Sequence, residues 1–200
     1  MCQKKSRATS PREVSAAWDL AEGMLSGPLP RRWLHSQGVC RQADINQGQL
    51  QPIDGEILVQ AAVLHDVGYA PDVAITGFHP LDGARYLKSI GVDDRVVGLV
   101  AHHSCARVEA AERGLGPDLA EFEPGPEQLT EFLIFCDMTT SPDGVTVSVD
   151  ERLAEILDRY GPYSVVGRSI TSAEPELRAA TYRVARRLAV RIRPAPDLQI

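Results

Sequence analysis

The run Ile57-Leu58-Val59-Gln60-Ala61-Ala62-Val63-Leu64-His65-Asp66 constrains this chain more than any other stretch. Its apolar residues cover most sides of a helix instead of one stripe, so the segment reads as a central helix that other elements must surround. Asp54 is positioned to cap its start, and Gly68 closes it. The run ends in His65 and Asp66, a titratable pair closing an otherwise apolar helix.

The remaining chain is punctuated as helices around that centre. Ser10-Pro11-Arg12-Glu13 reads as a capping box, with Val14, Ala17, Trp18, Ala21 and Leu25 at helical spacing behind it. Gly27-Pro28-Leu29-Pro30 breaks the chain before a second helix, Arg31 to Val39, which carries His35 and contains Gly38. Gly68 to Phe78 has loop composition, and His79-Pro80 opens a helix that Gly91 ends. Asp93 or Asp94 caps the next helix, which runs through Val96, Val97, Leu99 and Val100 to His102-His103-Ser104 and on toward Gly114. Gly114 to Pro126 is the clearest loop. Pro126-Glu127-Gln128-Leu129 then starts an apolar helix ending in Asp137, a carboxylate that needs a partner. Ser148-Val149-Asp150-Glu151 is a second capping box, for a helix to Tyr160-Gly161. The last helix is expected over about Ser172 to Arg193, with Leu177, Val184 and Leu188 inward and Arg178, Arg183, Arg186, Arg187 and Arg191 on the other faces, solvated or paired with acidic neighbours. Val145 to Ser148 alternates like a strand but is too isolated to build a sheet. The expected fold class is therefore all-α.

Two hundred residues, 44% hydrophobic and 24% charged, suit one globular domain over 1–200 rather than a disordered chain. No apolar run approaches the roughly 20 residues of a membrane helix. Met1 to Ser10 is polar and basic with no hydrophobic segment behind it, so no signal peptide is expected and the cytoplasm is the expected compartment. Cys2, Cys40, Cys105 and Cys136 form no Cys-x-x-Cys pair, which argues for reduced thiols and against a disulfide framework or zinc knuckle. A formal charge of −6 disfavours a polynucleotide or an anionic membrane as partner. The sequence leaves the oligomeric state open.

The five histidines, His35, His65, His79, His102 and His103, each stand beside a helix signal in the central part of the chain. With Asp66 and Asp137 they supply nitrogen and oxygen donors, the ligand set of catalytic Zn, Mn, Fe, Co or Ni sites, with Mg as a further candidate. Neighbours on a helix diverge by roughly 100°, so His65 and Asp66 can serve one ion only if it sits at the helix end. The two oxygens of Asp66 allow it to bridge two ions ~3.5–4 Å apart. One ion would take His35, His65, Asp66 and Asp137, and the other Asp66, His79 and one or both of His102 and His103.

This pattern resembles the HD-domain superfamily of metal-dependent phosphohydrolases, marked by a His, a His-Asp pair and a distant Asp; here His35, His65-Asp66 and Asp137 match. His79-Pro80-Leu81-Asp82-Gly83-Ala84 and His102-His103-Ser104 look like the further histidines of the two-metal branch. The likeness runs from about Arg31 to Ser141 and places the helices over 10–25 and 148–193 outside it. It implies a helical bundle with two divalent transition-metal ions at its centre, His103 rather than His102 as a ligand, and hydrolysis of a phosphoester or phosphoanhydride in a small phosphorylated substrate such as a nucleotide. The lysine and the Gly-Tyr-Pro of the cyclic-dinucleotide phosphodiesterases are absent, their places taken by Tyr69 and by Ser104-Cys105-Ala106, which argues against that substrate. The acidic pair of the alarmone hydrolases is absent too.

Within this reading Asp66 acts as ligand in the reaction centre and His102, free of metal, would protonate the leaving group. Arg32, Tyr69, Arg85 and Lys88 are candidates to meet a phosphate, as are Thr139, Thr140 and Ser141 after Asp137. Gly68 to Phe78 and Gly114 to Pro126 are connected to ligands at both ends, so both are expected at the pocket mouth, the second as a lid. The same six ligands also support a di-iron oxygenase in this superfamily, and a metal-stabilised binding domain is the third alternative.

Overall fold

A computed structural model describes residues 11–192. The capping role of Ser10, the basic N-terminal ten residues including Cys2, and Arg193 lie outside the described residues, as does the side chain of Arg191. Ten α-helices follow in order: α1 (Pro11–Leu25), α2 (Pro30–Asn46), α3 (Pro52–Leu64), α4 (His79–Ser89), α5 (Asp94–His102), α6 (Ala106–Arg113), the single turn α7 (Gly116–Leu119), α8 (Glu127–Met138), α9 (Val149–Tyr160) and α10 (Val165–Ile192). Short 3-10 turns at Gln47–Gln49, Val67–Tyr69 and His103–Cys105 join them. No strand forms among the described residues; Thr140 and Thr146 make one isolated antiparallel bridge. The fold is all-α.

Helix α3 is the centre. It packs against α1, α2, α5 and α8, and Ile57, Leu58, Ala61, Ala62, Val63 and Leu64 are all buried. Burying each of the large aliphatic side chains contributes about 1.5–3 kcal/mol, and Ala61 and Ala62 let neighbouring helices come close. A second, smaller apolar cluster lies at the C-terminal side, where Ile134 and Met138 of α8 meet Val149, Leu153 and Ile156 of α9 and Ala173, Leu177 and Ala180 of α10. Arg183 and Arg187 of α10 both reach the buried Glu131 of α8, so part of the arginine face ties the last helix down.

Several boundaries differ from expectation. The residue before α3 is Gln51, with Pro52 opening the helix, so Asp54 sits in the first turn and favours the helix dipole instead of capping it. The helix expected from Asp94 to Gly114 is interrupted after His102, where Ser104 (φ 46°) and Cys105 (φ 60°) adopt left-handed conformations before α6 restarts. α10 begins at Val165 rather than Ser172 and passes through Pro175. Ser172 precedes an acidic residue and a proline and so imitates a helix start, but Val166, Ser169, Ile170, Ala173 and Leu177 extend the inward stripe back to the first turn.

Candidate metal centre

Five elements each bring an end or a turn to one place. His35 comes from the second turn of α2, Asp137 from the last turn of α8, His79 from the first position of α4 and His103 from the residue after α5. His65 is still helical (φ −58°, ψ −30°), whereas Asp66 (φ −101°, ψ 4°) has left the helix. That change of backbone direction is how neighbouring residues converge despite the divergence a helix imposes.

The histidines are oriented from behind. Nδ1 of His65 lies 2.8 Å from the Ala62 carbonyl, Nδ1 of His103 lies 2.6 Å from that of Val100, and Nδ1 of His35 lies 3.0 Å from that of Ser141. A carbonyl only accepts, so each of these Nδ1 atoms carries a proton; the Nε2 of His65 and of His103 then turns a lone pair inward, whereas His35 Nε2 faces a second acceptor, the Asp137 carboxylate, and donates to it. His65 Nε2 is buried with no hydrogen-bond partner. His103 Nε2 faces His79 Nε2 at 3.1 Å, His35 Nε2 faces Asp137 Oδ1 at 3.0 Å, and Asp66 Oδ1 lies 3.4 Å from His79 Nε2 and 3.6 Å from His65 Nε2. Donor atoms of His35, His65 and Asp66 lie within 4.8 Å of one another, as do those of Asp66, His79 and His103, with Asp66 common to both groups. Converging lone pairs and carboxylate oxygens around an orphaned buried nitrogen are what a divalent cation would satisfy, so these residues fit a metal site.

Electrostatics point the same way. Burial alone would raise the Asp66 carboxyl, but the surrounding charge, with Arg32 permanently cationic beside it, outweighs burial and holds the group well below the usual carboxylate range. Burial also favours the neutral acid at Asp137, where His35 and Arg152 reverse the balance and keep it ionised. Burial pushes His79 and His103 below the usual imidazole range, so both stay neutral and able to donate a lone pair. Burial pushes the Cys40 and Cys105 thiols up to about 12 and raises Cys136 as well, and no cysteine joins either donor group among the described residues.

Around the donors, Asp82 accepts hydrogen bonds from the backbone of Ile75 and Thr76 and from the Thr76 hydroxyl at 2.9–3.1 Å, folding the 70–78 loop onto the start of α4 where His79 sits. Gly68 lets that loop pass: a Cβ there would fall 2.0 Å from the His79 carbonyl oxygen. The Tyr69 ring stacks on His79 at 3.9 Å, and the Arg32 guanidinium lies 3.8 Å above Tyr69 on the same ring system. Arg32 also donates to Asp66 Oδ2 at 3.0 Å and to the Tyr160 hydroxyl at 2.9 Å. The Ser104 hydroxyl donates to Asp137 Oδ2, which gives the left-handed backbone at Ser104 a purpose.

These groups open into a cleft continuous with solvent. Of the sequence candidates for substrate contact, Arg32 and Tyr69 line it. Six lie elsewhere: the Thr139 and Thr140 hydroxyls donate to the Phe135 and Cys136 carbonyls, and Ser141 Oγ accepts from the Asp143 and Val145 amides. His102 turns away from the centre, its Nε2 2.8 Å from the Phe122 carbonyl, because the backbone bends sharply after it. Arg85 is held by Asp118 and Glu121, and Lys88 lies over the Phe122 ring. The proton-donor role expected of His102 and the phosphate contacts expected of Arg85 and Lys88 have no support in this placement, since none of the three lines the cleft. The 114–126 segment, expected at the pocket mouth, lies elsewhere: Glu123 and Gly125 pack on Gly98 and Leu99 of α5, and no residue of the segment lines the cleft. The opposite wall comes instead from α9 and α10, through Arg152, Ile156, Arg159, Tyr160 and Ser169 among others. Sequence reasoning missed Arg152, although it stands on the inward stripe Val149, Arg152, Leu153, Ile156, where a lone arginine among apolar residues is a usable signal.

The chain belongs to the HD domain family, whose model matches residues 32–160, well over half of its length. That range extends past the expected Ser141 limit and includes all of α9. Proteins of this family bind divalent metals, and membership suggests metal-dependent, hydrolase-like activity. Among curated relatives, a tRNA (cytidine(56)-2'-O)-methyltransferase of Picrophilus torridus is 29% identical over 111 residues, 54% of this chain and 30% of that protein. A tRNA (cytidine(56)-2'-O)-methyltransferase of Thermoplasma volcanium is 36% identical over 84 residues, 40% of this chain and 23% of that protein. The chain thus spans less than a third of the length of either relative. No solved structure significantly matches the chain. No helix among the described residues is long and apolar enough to cross a membrane.

Proposed function

We propose that the protein is a metal-dependent phosphohydrolase acting on a small phosphorylated substrate, a phosphomonoester or phosphoanhydride such as a nucleotide. The observation that carries this reading is the buried, unpartnered His65 Nε2 among inward lone pairs, with Asp66 shared by two donor groups. His35, His65, Asp66 and Asp137 would hold one ion, and Asp66, His79 and His103 a second. Divalent ions bound there supply Lewis acidity toward a phosphoryl oxygen and a nucleophile usable at neutral pH. With nitrogen and oxygen donors only, Fe, Mn, Co, Ni and Zn all suit the set, and Mg is the weaker fit.

The chain's own residues do the rest. Arg32, stacked on Tyr69 and hydrogen-bonded to Tyr160, presents a fixed guanidinium beside Asp66, where a phosphoryl group would need charge neutralised. Ser104 and Arg152 orient Asp137 from two sides. Arg32, Arg152 and Arg159 bring three guanidinium groups to the cleft lining, where they offset its carboxylates and leave room for an anionic ligand to be neutralised. Methyl transfer to tRNA, the activity named for the two relatives, is not part of this reading, because each is matched over less than a third of its length.

The test is a panel of nucleotides and simple phosphomonoesters assayed with the purified chain in Mn, Co, Ni, Fe, Zn and Mg under reducing conditions. Chelator-sensitive phosphate release is expected. Silence throughout would overturn the reading. In that case O₂ uptake by iron-loaded protein would support an oxygenase, and intact metal sites without any turnover a binding domain.

A further inference from the structure

Beside the cleft, and sharing Arg32, His35, Arg152 and Arg159 with it, lies a smaller concavity whose remaining lining is Arg31 and Pro142. Four guanidinium groups meet there and no carboxylate lines it. Glu155 ties three of them together: it pairs with Arg152 at 2.6 Å and with Arg159 at 3.3 Å, and its charge also reaches Arg31. Tyr160 links Arg32 to Arg159, since its hydroxyl accepts from Arg32 at 2.9 Å and its ring centre lies 4.7 Å from the Arg159 guanidinium. The counter-charges fall short. Arg31, Arg152 and Arg159 have Asp143 and Glu155 between them, while Asp137, 3.5 Å from Arg152, is already engaged by His35 and Ser104. Asp66, the partner of Arg32, is common to both donor groups. Once Asp66 and Asp137 serve cations, Arg32 and Arg152 lose much of their neutralisation, and like charges gathered in one concavity repel until an anion enters. Surface to receive that anion is present: the side chains of Arg31, Arg32 and Arg159 are 62%, 19% and 29% exposed, whereas Arg152, at 5%, adds charge without offering contact.

We propose that this concavity is an anion subsite for a second phosphoryl group of the substrate, held by Arg159 and Arg31, while the first lies at the donor cluster beside Arg32. The substrate class is thereby narrowed to compounds carrying two phosphoryl groups, such as a phosphoanhydride, and Arg159 is the residue that selects them. This rests on the phosphohydrolase reading for the group that is hydrolysed. Guanidinium suits the task because its planar fork meets two phosphoryl oxygens at once. Arg32 lines both the cleft and the concavity and so joins the two positions. A simple phosphomonoester would leave the second set of guanidinium groups with no anion to meet.

The test uses non-hydrolysable probes, so that binding is read apart from turnover. Calorimetry on the metal-loaded full chain compares phosphonomethanesulfonate with methylphosphonate. A sulfonate presents the same tetrahedral array of anionic oxygens as a phosphoryl group but coordinates metal poorly, so any gain it brings comes from the protein. Phosphonomethanesulfonate is expected to bind about tenfold more tightly. Arg159→Gln, at a partly exposed position, should remove most of that preference while changing methylphosphonate by under about twofold, with metal content unchanged. Arg31→Gln should act in the same direction but less, because Asp143 already occupies its fork. Arg85→Gln removes the same charge from outside both cavities and should change neither probe. Equal affinity for the two probes, no binding of either, or a preference untouched by Arg159→Gln overturns the subsite. So does a second equivalent of inorganic phosphate that is lost in Arg159→Gln without any preference between the probes, since the site would then take a free anion and no part of the substrate. A preference lost in Arg159→Gln, in protein that turns over no phosphate ester, supports the subsite and counts only against the hydrolytic reading.

Discussion

In the donor cluster, three imidazoles are each tied through Nδ1 to a carbonyl behind it, and Asp66 and Asp137 each accept from an arginine or a serine. In the α9–α10 wall the two buried donors, Arg152 Nε and Ser169 Oγ, are tied to nothing. The first region is braced side chain by side chain, and the second is braced in its backbone at the turn between α9 and α10. On the proposed reading the ends of α2, α3, α4, α5 and α8 set the chemistry, and the α9–α10 wall shapes what enters the cleft.

If that division holds, substitutions in the two regions should fail in different ways. The largest effect is expected from Asp66→Ala, which removes the oxygen common to both donor groups. Turnover should fall by about 10³-fold or more, and no metal should restore it. A loss confined to KM would place Asp66 with the wall instead. Next, Ser104→Ala keeps the left-handed backbone but frees Asp137 from its hydroxyl partner. A roughly 10–100-fold loss in metal affinity is expected, measured by competition with a chelating dye. An unchanged affinity would show that Asp137 needs no bracing.

Gly68→Ala sharpens the comparison within the cluster, because the clash would be with the His79 and Gly83 backbone and no side chain can give way. We expect about 1–3 kcal/mol of destabilisation in thermal unfolding. Metal should be lost chiefly from the His79 and His103 group while the His35 and His65 group keeps its ion. The smallest effects belong to Arg85→Ala and Lys88→Ala. Arg85 makes partly exposed ion pairs to Asp118 and Glu121, worth under about 1 kcal/mol, and neither residue lines the cleft. KM should be unchanged in both; a raised KM would return them to the substrate.

The two regions were unequally legible in the sequence. The donor set could be read because histidine beside a carboxylate at the end of an apolar helix is costly without a partner, and because helix punctuation left no strands to build from. What the residues could not say was which way His102 and His103 would face. That depends on the break after His102, where Ser104 and Cys105, neither a glycine, take left-handed backbone. The wall was hidden for a different reason. Arg152 does stand on the apolar stripe of α9, but Ser169 lies in an amphipathic helix where serine is ordinary, and packing of α10 against α8 and α9 buries it. The 114–126 segment misled because its composition fits a mobile loop, whereas Leu119 and Phe122 are buried in the main core and fasten it to α5 and α6.

The most direct measurement is elemental analysis of the purified chain beside its His65→Ala and Asp66→Ala variants, with folding of each checked by circular dichroism. The account predicts about two divalent transition-metal ions per wild-type chain and a near-complete loss in Asp66→Ala, with His65→Ala losing at least the ion held with His35. Folded Asp66→Ala and His65→Ala proteins that retain the full wild-type metal content would contradict it.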